Sequence, residues 1–251
     1  MPSDQMVLYH SLRSTCSRKV RICLGEKGIE FESRVLDLKK FEHHSPGYLR
    51  LNPNGYVPTL VDGGRALIES SIINEYLDES YPQAPLRPAD PYARLQMRIW
   101  TKFVDDVCLP AVVVPTWTEA LAGSVAGKSD EELKLILDRI PLPERRARWY
   151  KIAREGYSEA EFREAYDKMA LALDRMEQAL SKTRWLAGDD YSLADINISP
   201  YVWRFREIDP VLLDPVKRPR VAVWFETMLA RPAVANVLQG AAVQSCQGAK
   251  P

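Results

Sequence analysis

The sequence predicts a mixed α+β N-terminal domain, βαβ followed by ββα, joined to an all-α helical bundle. Three observations carry this. Over the first third of the chain the hydrophobic pattern alternates between strand and helix type. Beyond the proline-dense stretch Tyr81-Pro82-Gln83-Ala84-Pro85-Leu86-Arg87-Pro88 it turns almost wholly helical. At 251 residues the chain also exceeds the usual size of one compact domain. The division expected is residues 1–82, a linker at 83–89, and a helical domain at 90–251.

The elements run in order. A strand at Met6 to His10 leads into a helix from Thr15 to Lys27, which Gly28 terminates, and a strand from Phe31 to Leu36 comes next. Lys39 to Leu51 reads as a short, irregular helical region. Thr59 to Asp62 is a strand that turns at Gly63-Gly64 into a second strand, Ala66 to Ile68. Proline removes a ladder donor, so Pro58 belongs at the strand mouth. A cis Val57-Pro58 bond is expected there, turning the Val57 backbone toward open space. Glu69-Ser70 then opens an apolar-periodic helix through Ile72, Ile73, Tyr76 and Leu77, and its first-turn amides form an anion site. Strand edges and a helix start together offer backbone groups and a carboxylate to something extended and peptide-like.

In the second domain, Asp90 caps a helix that has Pro91 in its first turn and runs through Met97, Trp100 and Val104. Pro110 and Pro115 are expected to kink or interrupt the next helical stretch. After the polar break Gly123 to Lys128, Ser129-Asp130-Glu131-Glu132 starts another helix. The charged stretch Glu144 to Arg154 reads as a solvated helix face, and a long helix covers Glu159 to Ser181. Ser192 and Asp195 have capping-box spacing, with Tyr191 as a staple, and the last helix lies near Val216 to Leu229, before Arg231-Pro232.

Composition narrows the function. Lysine plus arginine number 34 and aspartate plus glutamate 34, so net charge gives no support to a nucleic-acid or polyanionic partner. No apolar run approaches a membrane span on this reading, and the N-terminus lacks the basic-then-apolar layout of a signal peptide. The four cysteines, Cys16, Cys23, Cys108 and Cys246, show neither paired nor metal-ligand spacing, which fits a reducing cytoplasm and no metal.

Chemistry concentrates at Ser14-Thr15-Cys16-Ser17, where the first strand ends and the first helix begins. First-turn amides and the helix dipole favour a thiolate there, and Arg13, Arg18 and Lys19 add positive potential. Cys16 can be a nucleophile, or a small helix-start residue beside a working Ser14 or Ser17. Cys23 and Cys108 lie on apolar stretches and read as core, whereas Cys246 sits in a polar tail.

Asn52-Pro53-Asn54-Gly55-Tyr56-Val57-Pro58-Thr59-Leu60, Glu69-Ser70 and Glu75-Tyr76-Leu77 together resemble the cytosolic glutathione S-transferase superfamily. The resemblance covers nearly the whole chain, from Met6 to Leu238. It implies a thioredoxin-like first domain that binds glutathione as cosubstrate. The Val57 backbone beside Pro58 would pair with its cysteinyl part, Glu69 and Ser70 would hold the γ-glutamyl end, and His44 the glycine carboxylate. Ser14, Ser17 or Cys16 would handle the thiol. The Ser192–Asp195 box recurs in the family with a folding role. Ser14-Thr15-Cys16-Ser17 resembles the helix start of zeta- or omega-class members and of bacterial reductive dehalogenases. Phe41-Glu42-His43-His44-Ser45, Leu86 to Pro91, Met97 to Lys102 and Pro141 to Trp149 look like bacterial β-aryl etherases, which usually carry asparagine at the Cys16 position. The resemblance thus implies a bound glutathione thiolate attacking a hydrophobic, aromatic electrophile, in a homodimer. Conjugation, ether cleavage, dehalogenation, isomerisation, cysteine-dependent thiol transfer and ligand carriage without turnover stay open. Trp100, Phe103, Val104, Val107 and Trp117 are the candidate wall of the acceptor pocket.

Overall fold

The computed structural model describes residues 5–240; Cys246 lies outside them. Four strands, β1 (Val7–His10), β2 (Glu32–Val35), β3 (Thr59–Asp62) and β4 (Arg65–Leu67), form one sheet in the order β2-β1-β3-β4. β1 pairs parallel with β2 through the crossover helix α1 (Thr15–Glu26), and antiparallel with β3, which returns as a hairpin into β4. α1 stops as expected, with Gly28 at a φ of 63° and Ile29 N–H donating to the Leu24 carbonyl. The irregular region resolves into two 3₁₀ turns, Leu38–Lys40 and Glu42–His44, and the one-turn helix α2 (Pro46–Leu49). α3 (Ser70–Ser80) comes after β4.

Residues 81–90 contain neither helix nor strand, yet they are tied down. Asp78 accepts from Lys27, Arg87 and the Leu86 amide, each at 2.8 Å. Asp90 accepts from the Ala93 amide at 2.7 Å and caps α4 (Pro91–Phe103). Pro110 and Pro115 do not break the helix that continues from it. Two π turns, Val104–Cys108 and Trp117–Leu121, flank α5 (Leu109–Thr116) and absorb the mismatch. The resulting rod, Pro91–Ser124, is 34 residues long with an 18-residue window of mean hydropathy 1.2. By length and composition alone it passes the test for a membrane span, a test that a buried core helix also passes. Here its residues Met97, Val104, Cys108 and Ala111 pack in the main core.

α6 (Asp130–Leu137), α8 (Glu159–Leu180) and α9 (Leu193–Ile208) each start in a capping box, at Ser129–Glu132, Ser158–Glu161 and Ser192–Asp195. α7 (Pro143–Arg154) lies between the first two. Asp195 is fully buried; its carboxylate takes Trp224 Nε1–H at 2.9 Å and the Leu186 and Ser192 amides at 3.2 Å. The late helix begins at Pro219, after a turn pinned by Asp214, and α10 (Pro219–Leu229) is followed by α11 (Pro232–Leu238). Arg231-Pro232, read as a stop, is also a start, because proline suits the first helical position.

One core cluster runs through both parts of the chain, from Leu8, Val20 and Leu60 to Met169, Ile198 and Phe225. Polar contacts lock the same junction. Asn74 Nδ2 donates to Asn197 Oδ1 at 2.7 Å, Asn197 donates to Thr101 at 3.1 Å, and buried Lys19 reaches Asp105 at 2.9 Å. A second, smaller cluster joins Phe41 to Trp117, Val125, Leu133, Ile140, Trp149 and Ile152.

Candidate active site

The Val57 turn is built by two buried side chains of the Tyr48–Asn52 stretch. Tyr48 Oη donates to the Tyr56 carbonyl and lies 2.8 Å from Thr59 Oγ1; Asn52 Nδ2 donates to the same carbonyl at 2.9 Å. Burial pushes the Tyr48 phenol up to about 12, so it stays protonated and able to donate. Held from below in this way, the Val57-Pro58 bond is cis, as expected. The β3–β4 pairing ends at Leu60↔Leu67, and two residues further on Glu69 leads into α3. Glu69 is exposed at the start of α3, with a φ of 69° that costs energy in a residue bearing a Cβ. Ser70, almost wholly buried, begins the helix itself.

The first helix, α1, opens at Ser14-Thr15. Ser14 caps this helix, its hydroxyl oxygen accepting from Ser17 N–H at 3.2 Å, which leaves its O–H free to donate. Cys16 is half-buried, with Sγ 3.4 Å from the hydroxyl of Tyr201 on α9. Ser17 is fully buried and its hydroxyl accepts from the Ser11 amide at 3.3 Å, so it braces the loop and does not face the opening. Cys23 and Cys108 are fully buried, and burial pushes both thiols upward.

The structure thus places Ser14 and Cys16 at the start of α1, Val57 and Pro58 at the cis turn before β3, and Glu69 and Ser70 at the start of α3. His44 lies beneath the loop that leads into this turn, and the remaining candidates fall elsewhere. His44 is buried against His43, their ring centroids 3.9 Å apart, under Gly55, where a Cβ would come within 2.6 Å of the His44 ring. Trp100, Phe103 and Val104 belong to the main core, with the Arg175 guanidinium 4.9 Å and 4.2 Å from the two ring centroids. Their i, i+3, i+4 spacing is that of a core stripe, and Val107 packs half-buried against the same core. Trp117 instead sits in the smaller cluster, 4.7 Å from Trp149.

Two residues escaped the sequence reading. Tyr201 is one. The other is Arg145, on the helix read as a solvated face: its guanidinium stacks 4.4 Å from the Tyr56 ring and 5.6 Å from Trp117, with Nη2 3.4 Å from His43 Nε2. Burial draws it below the ordinary guanidinium range, and Tyr56 and the sulfur of Cys16 partly offset this. A signal existed, since Arg145, Trp149 and Ile152 share one helical face and the latter two are buried.

With this geometry in view, comparison with known proteins gives a consistent result. Residues 8–85 match the family model of the glutathione S-transferase N-terminal domain, and residues 142–232 that of the C-terminal domain. Protein LigF of Sphingobium sp. strain SYK-6 is 34% identical over 229 residues, 89% of each chain. The crystal structure of β-etherase LigF from that strain superposes with a TM-score of 0.87 at 33% identity, over 94% of this chain and 99% of that one. Glutathione S-transferase F13 of Arabidopsis thaliana is 30% identical over 95% of this chain and 97% of its own. A maleylacetoacetate isomerase of Pseudomonas aeruginosa is 48% identical, but over only 37% of this chain and 45% of its own. The chain belongs to the glutathione S-transferase family and is an enzyme of that class, whose members use glutathione as cosubstrate.

Proposed function

We propose that the enzyme holds glutathione along the Val57 edge and uses its thiolate to cleave an activated ether of a hydrophobic aromatic compound. The observation that supports this reading is the likeness to β-etherase LigF along nearly the whole chain, together with a Ser14 hydroxyl at the start of α1 whose O–H is free to donate and a cis Val57-Pro58 turn. In this mechanism Ser14 donates to the glutathione thiolate, and Glu69 and Ser70 hold the γ-glutamyl end. The sulfur attacks the carbon bearing the aryloxy group. A C–S bond forms, the C–O bond breaks, and the aryloxide leaves with the electron pair and is protonated from solvent. Net, glutathione and the aryl ether give a thioether and a phenol.

A second reading rests on Cys16, half-buried beside Tyr201. Its thiolate would displace a thiol from a glutathione mixed disulfide, and a second glutathione would release it as glutathione disulfide. A panel of aryl ether, chlorinated hydroquinone, maleylacetoacetate analogue and mixed disulfide, with products identified, separates the two. Thioether and phenol in equal amounts support the first reading; turnover of the mixed disulfide alone overturns it.

The working form on this proposal is a two-fold homodimer in a reducing cytoplasm. Ile72 of α3 and Tyr92, Leu95 and Ile99 of α4 are exposed, and the Glu75–Arg98 ion pair at 2.8 Å joins those two helices into one face. A monomeric mass by light scattering would refute that assembly.

A further inference from the structure

The α7 face at the domain junction carries charge with nothing to balance it. Ion pairs on α7 occupy its far end, Lys151 with Glu161 and Arg154 with Asp130. Among the described residues Arg145 and Arg148 have no carboxylate partner, and the Nε of Arg145 is buried without an acceptor. Instead the two guanidinium groups stack on Trp117, and Arg145 also on Tyr56. Beneath them are His43 and His44, both buried. Nδ1 of His43 and both ring nitrogens of His44 have no protein partner. Burial and the neighbouring Arg145 and Arg139 hold both rings neutral, so each keeps one N–H to donate. A half-buried cation with a buried, unpartnered Nε, beside unpartnered ring nitrogens, suits an anion.

The backbone says which anion. A ligand pairing with the Val57 edge has Glu69 at one end, because Val57-Pro58 leads into β3, β3 pairs with β4, and Glu69 follows β4 at the start of α3. Its other end runs past Tyr56 and Gly55, and Gly55 lies directly on His44. For a γ-glutamyl tripeptide whose α-amino acid end meets Glu69 and Ser70, the terminus arriving beneath Arg145 is the glycyl carboxylate.

We propose that Arg145 is a positioning residue that receives the glycyl carboxylate of glutathione, with His43 and His44 donating beside it. This rests on the glutathione reading above. The helical domain, and not only the thioredoxin-like one, then grips the cosubstrate, and the aromatic rings around Arg145 strengthen the ion pair by excluding water.

Calorimetry with glutathione and with its glycyl monoethyl ester tests this in the wild-type protein, Arg145→Met and Arg145→Lys. The wild type should prefer the free acid by about tenfold or more, Arg145→Met should bind both ligands alike, and Arg145→Lys should keep part of the preference. Should Arg145→Met fail to fold, the reduced preference in Arg145→Lys remains decisive. An undiminished preference in either variant overturns the proposal. So does an equal loss for both ligands, which would make Arg145 a brace of the Tyr56 loop, or a raised KM confined to carboxylated acceptors. If the wild type binds neither ligand, the glutathione reading itself fails, an outcome distinct from the other three.

Discussion

The main core and the small aromatic cluster at the 38–45 turn are built on opposite rules. In the first, polar groups that enter the interior are matched: Asp195 with three donors, Asn74 with Asn197, Lys19 with Asp105. Around the second, His43, His44, Arg145, Arg146, Trp149 and Tyr157 each hold a buried polar atom with no protein partner. His10 and Asn74 are the comparable cases in the main core. Satisfied interiors specify a fold, whereas unsatisfied polar atoms concentrated at one junction mark a place shaped for something else. The contrast separates what holds this protein together from what it uses.

Acid should expose the difference most. All three histidines of the chain are buried, and burial draws them down to about 4 for His10, about 2 for His43 and about 3 for His44. The unfolded chain takes up these protons near pH 6.5, so below that pH it binds more protons than the fold, and stability present at pH 7 is lost as pH falls. Asp195, pushed up to about 6 by burial, takes a proton in the folded state over part of the same window and offsets one of the three. The slope near pH 5 should be about 3 kcal/mol per pH unit. Urea midpoints at pH 7, 6 and 5 measure it. His43→Gln with His44→Gln should remove most of it, and equal midpoints across that range would break the account.

Next in size, Asp195→Ala removes a cap and leaves three buried donors unpaired, a loss of about 3 kcal/mol or more. Chemical denaturation should show that loss with the denaturant slope kept. A change below about 1 kcal/mol would mean that water replaces the carboxylate and that the main core is less closed than its contacts indicate.

Gly55→Ala acts on the other region. It puts a Cβ at a φ of 64° and within 2.6 Å of the His44 ring, at a cost of about 1–2 kcal/mol. Hydrogen exchange should speed up in residues 38–57 and stay unchanged in α9. Faster exchange spread through both would show that the two clusters melt as one unit.

The smallest effect is a rate. Iodoacetamide should label half-buried Cys16 ahead of Cys23 and Cys108, which are fully buried. Tyr201→Phe deletes the hydroxyl 3.4 Å from Cys16 Sγ and should slow that labelling several-fold, with global stability nearly unchanged. An unchanged rate would reduce Tyr201 to packing.

Legibility in the sequence divides along the same line. Helix starts were visible because each is set by its own cap: Asp90 with Pro91, Ser129 with Glu132, Ser192 with Asp195. The Val57 turn and Glu69-Ser70 were visible for a similar reason, since strand, turn and helix start lie within fifteen residues, Val57 to Ser71. Arg145 meets His43 across 102 positions of sequence, and no local rule announces that a charged helix face will be covered. The wall proposed from Trp100, Phe103 and Val104 erred in the other direction, because a stripe at helical spacing looks the same whether it lines a core or a cleft.

The amide pair Asn74–Asn197 has a consequence for ancestry and engineering alike. Genes of this family can be recombined near the 81–90 segment, where no regular structure would be cut. A crossover there inherits Asn74 and Lys19 from one parent and Asn197, Thr101 and Asp105 from the other. Unless the second parent carries matching groups, the hybrid buries an orphaned amide and an uncompensated ammonium. The buried junction thus acts as a compatibility lock, limiting which halves can be exchanged among enzymes that share the fold.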